Sequence, residues 1–180
     1  MYEILTTLVT LVAPVLTFSA EEVWQYMPKD SDMAESVQLA QWPAAHPEYL
    51  DAALEAKWEQ ILTLRGEITK ALETARRNKV IGHSLDATVQ VYAGPSEFAL
   101  LDSIQQDLAT ILIVSKASIH EKTQNAPVDA YRSPELDLAV AVAPATGEKC
   151  ERCWIYCDTV GTVSEHEQLC ERCASVVKKL

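Results

Sequence analysis

Leu54, Ile61, Ile68 and Ala75 recur every seven residues, with Trp58, Arg65 and Leu72 interleaved. A helix returns to nearly the same face after two turns, so this spacing predicts a long amphipathic helix over Leu50–Val80, about eight turns in all. Arg76, Arg77 and Lys79 fall in its last turns, where cations oppose the negative end of the helix dipole. Gly82 is its expected stop. Upstream, residues 3–13 are apolar enough for a helix buried on most sides, and Pro14 should end or kink it. Ser19 followed by Glu22 matches a capping box, so a second helix is expected from there to about Met27. Residues 28–49 hold three prolines and little periodicity. They read as a connection with a short extended piece at Val37–Leu39.

After Gly82 the period changes. Ala87–Tyr92 alternates as a strand does. Gly94-Pro95-Ser96 predicts a turn and a helix start, and Phe98, Leu101, Ile104 and Leu108 suit a helix over Glu97–Leu108. Ile111–Val114 and Leu136–Ala143 are apolar runs of strand length, with a polar loop at 120–135 between them. The expected fold class is therefore α+β. A mainly helical part spans 1–82, a small mixed α/β unit 83–143, and a cysteine-bearing module 144–180.

Charge separates these regions. The formal net charge is −11, which argues against a free-standing nucleic-acid binder, since phosphate contact needs Lys and Arg. Residues 1–50 carry one basic and seven acidic groups, and residues 83–143 carry three and eight. Residues 51–82 carry six and five, and residues 144–180 five and six. The cations thus gather in the long helix and the cysteine module. The apolar start does not read as a secretion signal: no Lys or Arg precedes it, Glu3 stands where a basic group belongs, and Pro14 interrupts it. It is also too short and broken to span a bilayer. A cytoplasmic, reducing setting is expected, with no membrane partner, and paired cysteines there point to metal rather than disulfides.

All five cysteines lie in the last 31 residues, and the word CERC occurs twice. Cys150, Cys153, Cys170 and Cys173 have the spacing C-x2-C-x16-C-x2-C, which falls within the zinc-site signature. Two C-x2-C turns supply four thiolates, completing a tetrahedron with no open position, so one structural Zn²⁺ is expected. Iron is the alternative metal. A redox dithiol is a weaker reading because the motif is duplicated. Arg152 and Arg172 precede the second thiolate of each pair, and can offset the site's negative charge or meet phosphates. Cys157 is a spare thiol and His166 a surface histidine. No P-loop, G-x-G-x-x-G, G-x-S-x-G or H-E-x-x-H occurs, and no catalytic residue is assigned.

Four stretches carry a resemblance: "APVLTFSAEEVW" (13–24), "SVQLAQWP" (36–43), "LRGEITKALETARRNKVIGHSLDATV" (64–89) and "KCERCWIY…LCERC". In this order they resemble the C-terminal end of bacterial isoleucyl-tRNA synthetases, which are class I aminoacyl-tRNA synthetases. Departures are Thr17, where the family usually has proline, His83, commonly lysine, and Cys157, not expected as cysteine. Ile81-Gly82-His83 and Ser115–Ser118 are incomplete forms of the H-I-G-H and K-M-S-K-S signatures and read as chance. The resemblance implies part of a longer, monomeric ligase, with Met1 an introduced start. The catalytic and editing domains, and the sites for ATP, Mg²⁺ and isoleucine, would lie upstream. Residues 1–82 would then be the end of an anticodon-binding helix bundle, and 144–180 its zinc module. The implied partner is the isoleucine tRNA, docked by its anticodon stem and loop. Its candidate contacts are Arg76, Arg77, Lys79, Arg152, Trp154, Arg172, Lys178 and Lys179. Trp154 also has a reading as packing over the zinc turn. The competing function is a stand-alone zinc-ribbon module for protein interaction.

Overall fold

The computed structural model describes residues 1–29, 31 and 33–179. The chain divides after Asp51 into two compact units. In the first, helices α1 (Tyr2–Val12) and α2 (Thr17–Tyr26) are followed by 3-10 turns at Val37–Leu39 and Pro47–Tyr49. Val9, Ala13, Ala20, Trp24, Met27 and Val37 form its core. The Trp24 indole donates to the Ala34 carbonyl at 2.9 Å. Glu21 accepts from Ser36 Oγ at 2.7 Å and Val37 N at 3.0 Å, holding the connection against α2.

Three expectations are corrected here. Helix α1 buries only Val9 and Thr10, and Ile4 is 66% exposed within this unit. Helix α2 starts two residues before Ser19, with Leu16 at its N-cap and no side-chain cap. Val37–Leu39 is helical rather than extended, because the Ser36 hydroxyl accepts from Gln38 N and caps a turn.

The second unit is built on α3 (Ala52–Arg77). Ile61, Leu64, Ile68, Ala71, Leu72 and Ala75 are buried along one stripe, the later part of the face that the spacing predicts; Leu54 and Trp58, expected on the same face, are 51% and 40% exposed. Arg65 interrupts the apolar pattern for a reason: its Nε donates to the Ile111 carbonyl at 2.9 Å. The helix stops at Arg77, with its closing turn at Lys79 and not at Gly82. Lys79 takes φ +59°, and Val80 N bonds the Ala75 carbonyl at 2.9 Å, the geometry of a Schellman turn.

Strands β1 (Ala87–Ala93), β2 (Lys116–Glu121), β3 (Tyr131–Arg132) and β4 (Leu138–Pro144) form one sheet, in the order β2-β1-β4-β3. β1 is parallel to β2 and antiparallel to β4. A parallel neighbour needs a crossover, which α4 (Pro95–Asp102) and α5 (Leu108–Leu112) provide. Ala87, Val89, Val91 and Ala93 of β1 pack with Leu138 and Val140 of β4 into the same core as Ile68 and Leu72.

The expected helix Glu97–Leu108 is therefore two helices, and the expected strand Ile111–Val114 is the end of α5. Ile113 turns left-handed at φ +56° and stops it. The loop expected at 120–135 contains the end of β2, a 3-10 turn at Thr123–Asn125, and β3. The division expected near 82 is not a division in packing, because α3 shares its core with the sheet that follows.

The chain then enters a hairpin, β5 (Glu148–Lys149) with β6 (Tyr156–Cys157), and ends in α6 (Glu171–Val177). A Cβ on Gly147 (φ +92°) would lie 2.6 Å from the Cys157 carbonyl carbon, so the hairpin requires glycine there. Ser115 Oγ joins hairpin to sheet: it donates to the Leu85 carbonyl and accepts from Tyr156 N at 2.8 Å. Among the described residues, no helix is long and apolar enough to cross a membrane.

Candidate metal centre

The first thiol pair follows β5. Cys150 N bonds the Ile155 carbonyl at 3.0 Å, and Trp154 N bonds the Cys150 carbonyl at 2.8 Å. Closing so tight a loop puts Trp154 at φ +64°. The second pair opens α6, with Cys170 at its N-cap and Cys173 in its first turn. The four ligand sulfurs all lie within 4.8 Å of one another. A zinc–sulfur bond of about 2.3 Å in a tetrahedron requires sulfurs about 3.8 Å apart; Cys153 and Cys170 are 3.8 Å apart. The donor set fits one tetrahedral ion with four sulfur ligands.

The electrostatics prepare this site. Burial works against the Cys150 thiolate, but backbone N–H groups of Cys153, Cys170 and Arg152 outweigh it and hold this thiol below its ordinary value. Burial pushes Cys170 up, and the neighbouring thiols add to that. Cys150 is thus biased towards the thiolate, while burial pushes both Cys153 and Cys170 the other way. Arg152 Nη1 reaches Cys173 Sγ at 3.6 Å. The Arg172 guanidinium bonds Cys153, which raises its own pKa. Each arginine therefore serves the thiol pair of the other CERC word. Of the two uses open to them in the sequence, this geometry supplies charge balance.

The remaining candidates are dispersed. Arg76 pairs with Glu73 at 2.6 Å, and Lys178 with Glu165 at 2.7 Å. Arg77 donates to Thr74 Oγ1 at 3.3 Å. Lys79 and Lys179 are exposed. Trp154 does not pack over the metal turn: it is 60% exposed. Cys157 stands outside the four-sulfur group, 3.4 Å from Thr159 Oγ1. His166 is also outside it, in a 3-10 turn. Lys149 Nζ lies 5.7 Å from the centre of the Tyr156 ring. That cross-strand pairing follows from the hairpin register and has no signal in the spacing of the residues.

A family model described as the anticodon-binding domain of tRNA ligase matches residues 1–92, and one described as a zinc finger found in FPG and IleRS matches residues 147–176. The chain belongs to the anticodon-binding domain family of tRNA ligases, and it carries that zinc finger at its far end. Its relatives narrow the class. It is 47% identical to the isoleucine–tRNA ligase of Thermoanaerobacter sp. (strain X514) over 99% of its length, and 44% identical to that of Moorella thermoacetica over 100%. It is also 47% identical to that of Geobacter sulfurreducens over 99%. The chain spans about a fifth of the length of these relatives. What it covers is the anticodon-binding and zinc-finger region, not the catalytic domain.

Proposed function

We propose that this chain is the tRNA-docking end of an isoleucine–tRNA ligase. It holds the anticodon stem and loop of the isoleucine tRNA while upstream catalytic and editing domains carry out the ATP- and Mg²⁺-dependent reaction. The observation that carries this reading is the match of one chain to both families, the anticodon-binding domain followed by the zinc finger. In functional terms the divisions are 1–82, 83–143 and 144–180. Cys150, Cys153, Cys170 and Cys173 hold one structural Zn²⁺. A closed four-thiolate site does no chemistry on substrate; it keeps the turn rigid.

Rigidity supports recognition. Trp154 is fixed beside a metal ligand and mostly open to solvent, and an aromatic ring so held can stack on an unpaired loop base. Arg77, Lys79 and Lys179 are the exposed candidates for phosphate, with Arg76 and Lys178 reachable by exchanging surface ion pairs worth little. Arg152 and Arg172 act on RNA only through the turn that they stabilise. Their use on sulfur, and the −11 charge, also mean that a large share of tRNA affinity comes from outside this chain. The enzyme works as a cytoplasmic monomer.

The test is binding of the isoleucine tRNA, measured by fluorescence anisotropy against salt. Trp154→Ala should weaken binding about tenfold. Reversing Arg77 and Lys79 to Glu should weaken it further and flatten the salt dependence. Unchanged binding in both variants would remove this reading.

A further inference from the structure

The zinc module is joined to the rest of its unit by little. The apolar core of the sheet runs no further than Val142, the cluster around the thiols begins at Cys150, and the two share no residue. The chain passes between them once, through Gly147 at φ +92°. Among the described residues beyond Ala145, one hydrogen bond reaches back to the sheet: Tyr156 N donates to Ser115 Oγ at 2.8 Å. A body on a single strand of chain swings about it, and a second point of attachment stops that swing. We infer that Ser115 is a positioning residue, whose hydroxyl sets the direction in which the zinc hairpin and its exposed Trp154 leave the sheet. The inference rests on the tRNA reading only for the use to which that direction is put.

Both ends of this joint are fixed. Val114 is buried in the core, and Ser115 N donates to the Ala87 carbonyl at 3.1 Å, so the serine cannot drift from the sheet. Its hydroxyl donates to the Leu85 carbonyl, which leaves a lone pair for the Tyr156 amide. A hydroxyl suits the place because it donates and accepts at one atom. Leu85 lies in the turn Ser84–Asp86, where His83 N donates to Asp86 Oδ2 at 2.7 Å. Ile81 just before that turn is buried in the core, so the Leu85 carbonyl is placed relative to the end of α3. On the far side, Tyr156 pairs with Lys149 across the hairpin, and the neighbouring Ile155 carbonyl accepts from Cys150 N at 3.0 Å. The joint thus runs from the exit of α3 to the edge of the metal turn. It fixes the separation between Arg77 and Lys79 at one end and Trp154 at the other.

Residual dipolar couplings of the 15N-labelled, zinc-loaded chain test the joint without RNA. In the unsubstituted chain the amides of the sheet and of the hairpin should fit one alignment. Ser115→Ala removes the hydroxyl and nothing that either core uses. Zinc content and the sheet's amide shifts should stay as they were, Tyr156 N–H should exchange about tenfold faster, and the hairpin couplings should need an alignment of their own. Ser115→Thr keeps the hydroxyl and should keep the single alignment. A single alignment retained by Ser115→Ala, loss of zinc or of the sheet's amide dispersion in that variant, or equal loosening by Ser115→Thr would each overturn the joint.

The consequence for RNA is read in a double-mutant cycle on binding of the isoleucine tRNA. Ser115→Ala should weaken binding severalfold in the unsubstituted chain and leave it unchanged in the Trp154→Ala background, because the serine acts through the place of that ring. Equal weakening in both backgrounds would overturn the positioning role. Were neither Ser115→Ala nor Trp154→Ala to change tRNA binding while the couplings diverge, the tRNA reading would fall and the joint would stand.

Discussion

The sheet and the zinc hairpin lie in one compact unit, yet they are held together by different means. Behind the sheet, Ile68, Leu72, Val89, Val91, Leu101, Leu108 and Val140 form a continuous apolar core with α3 across it. The hairpin has Cys150, Cys170 and Cys173 at its centre, with Val160 and Leu169 against them. The first region has a large apolar core of its own to hold it. The second does not, and below about 40 residues a module usually needs a metal or a disulfide. The difference teaches where each region is vulnerable: the hairpin at four sulfurs, the sheet at its packing.

The largest effect should come from the metal. A structural zinc contributes on the order of 10 kcal/mol to a small module. Cys170→Ser, or a strong chelator, should unfold residues 144–179 while the sheet keeps its amide dispersion in 15N NMR. Simultaneous loss of both sets of signals would mean that the hairpin is part of the sheet's cooperative unit, and the comparison would break there.

Next is the sheet's own core. Ile68 is 0% exposed at the centre of the α3 stripe. Ile68→Ala should cost about 2–5 kcal/mol, read as a lowered urea midpoint at unchanged zinc content. Zinc release in native buffer would show that the hairpin leans on α3 more than its own bonds suggest.

The two regions are also unequally legible in the amino-acid sequence. The four clustered thiols can be read there because their geometry is local: two residues between thiols is what a C-x2-C metal turn requires. The stripe on α3 can be read because its period holds from Ile61 to Ala75, about four turns. Strand β2 cannot. KASIHE has only Ala117 and Ile119 on its core face, while the more apolar Ile111–Val114 beside it has the look of a strand. A short apolar run does not distinguish strand from helix by periodicity, and the left-handed turn at Ile113 decides the matter. The packing boundary at Asp51 is hidden for a related reason. An amphipathic stripe says that a helix is covered, not what covers it. The exposure of Trp154 follows from a tight turn that composition does not reveal.

A smaller effect should come from the one buried carboxylate of α3. Glu67 is 4% exposed. Its carboxylate pairs with Lys70 and accepts from the Tyr131 hydroxyl at 2.9 Å, tying the helix to β3. The Lys70 bond, then those from Ser133 and Tyr131, hold its pKa at about 2 against the cost of burial, where the ordinary value is 4.5. A folded value below the unfolded one makes this stabilisation complete above about pH 4.5 and lost as pH falls towards 2. Glu67→Gln should destabilise the sheet by about 2 kcal/mol at neutral pH and flatten that acid limb. The limb is best followed in chelated protein, because acid also releases zinc by protonating the thiols. An unchanged limb would assign the acid sensitivity to another carboxylate.

The smallest effect concerns Lys79, which holds φ +59° at the turn ending α3. A side chain in this region crowds the following carbonyl, at a cost of roughly 1 kcal/mol. Glycine avoids that cost, although its freer unfolded chain offsets part of the gain. Lys79→Gly should therefore raise the melting temperature of the sheet by about 2 °C and leave zinc release untouched. The same change removes a cation proposed to face phosphate, which should lower the salt slope of tRNA binding by about 1. A variant that is more stable but binds less tightly would show a strained residue serving its charge rather than the turn. A variant that is less stable would place the value of Lys79 in the turn itself, and would leave Arg77 as the principal candidate for phosphate at this end of the helix.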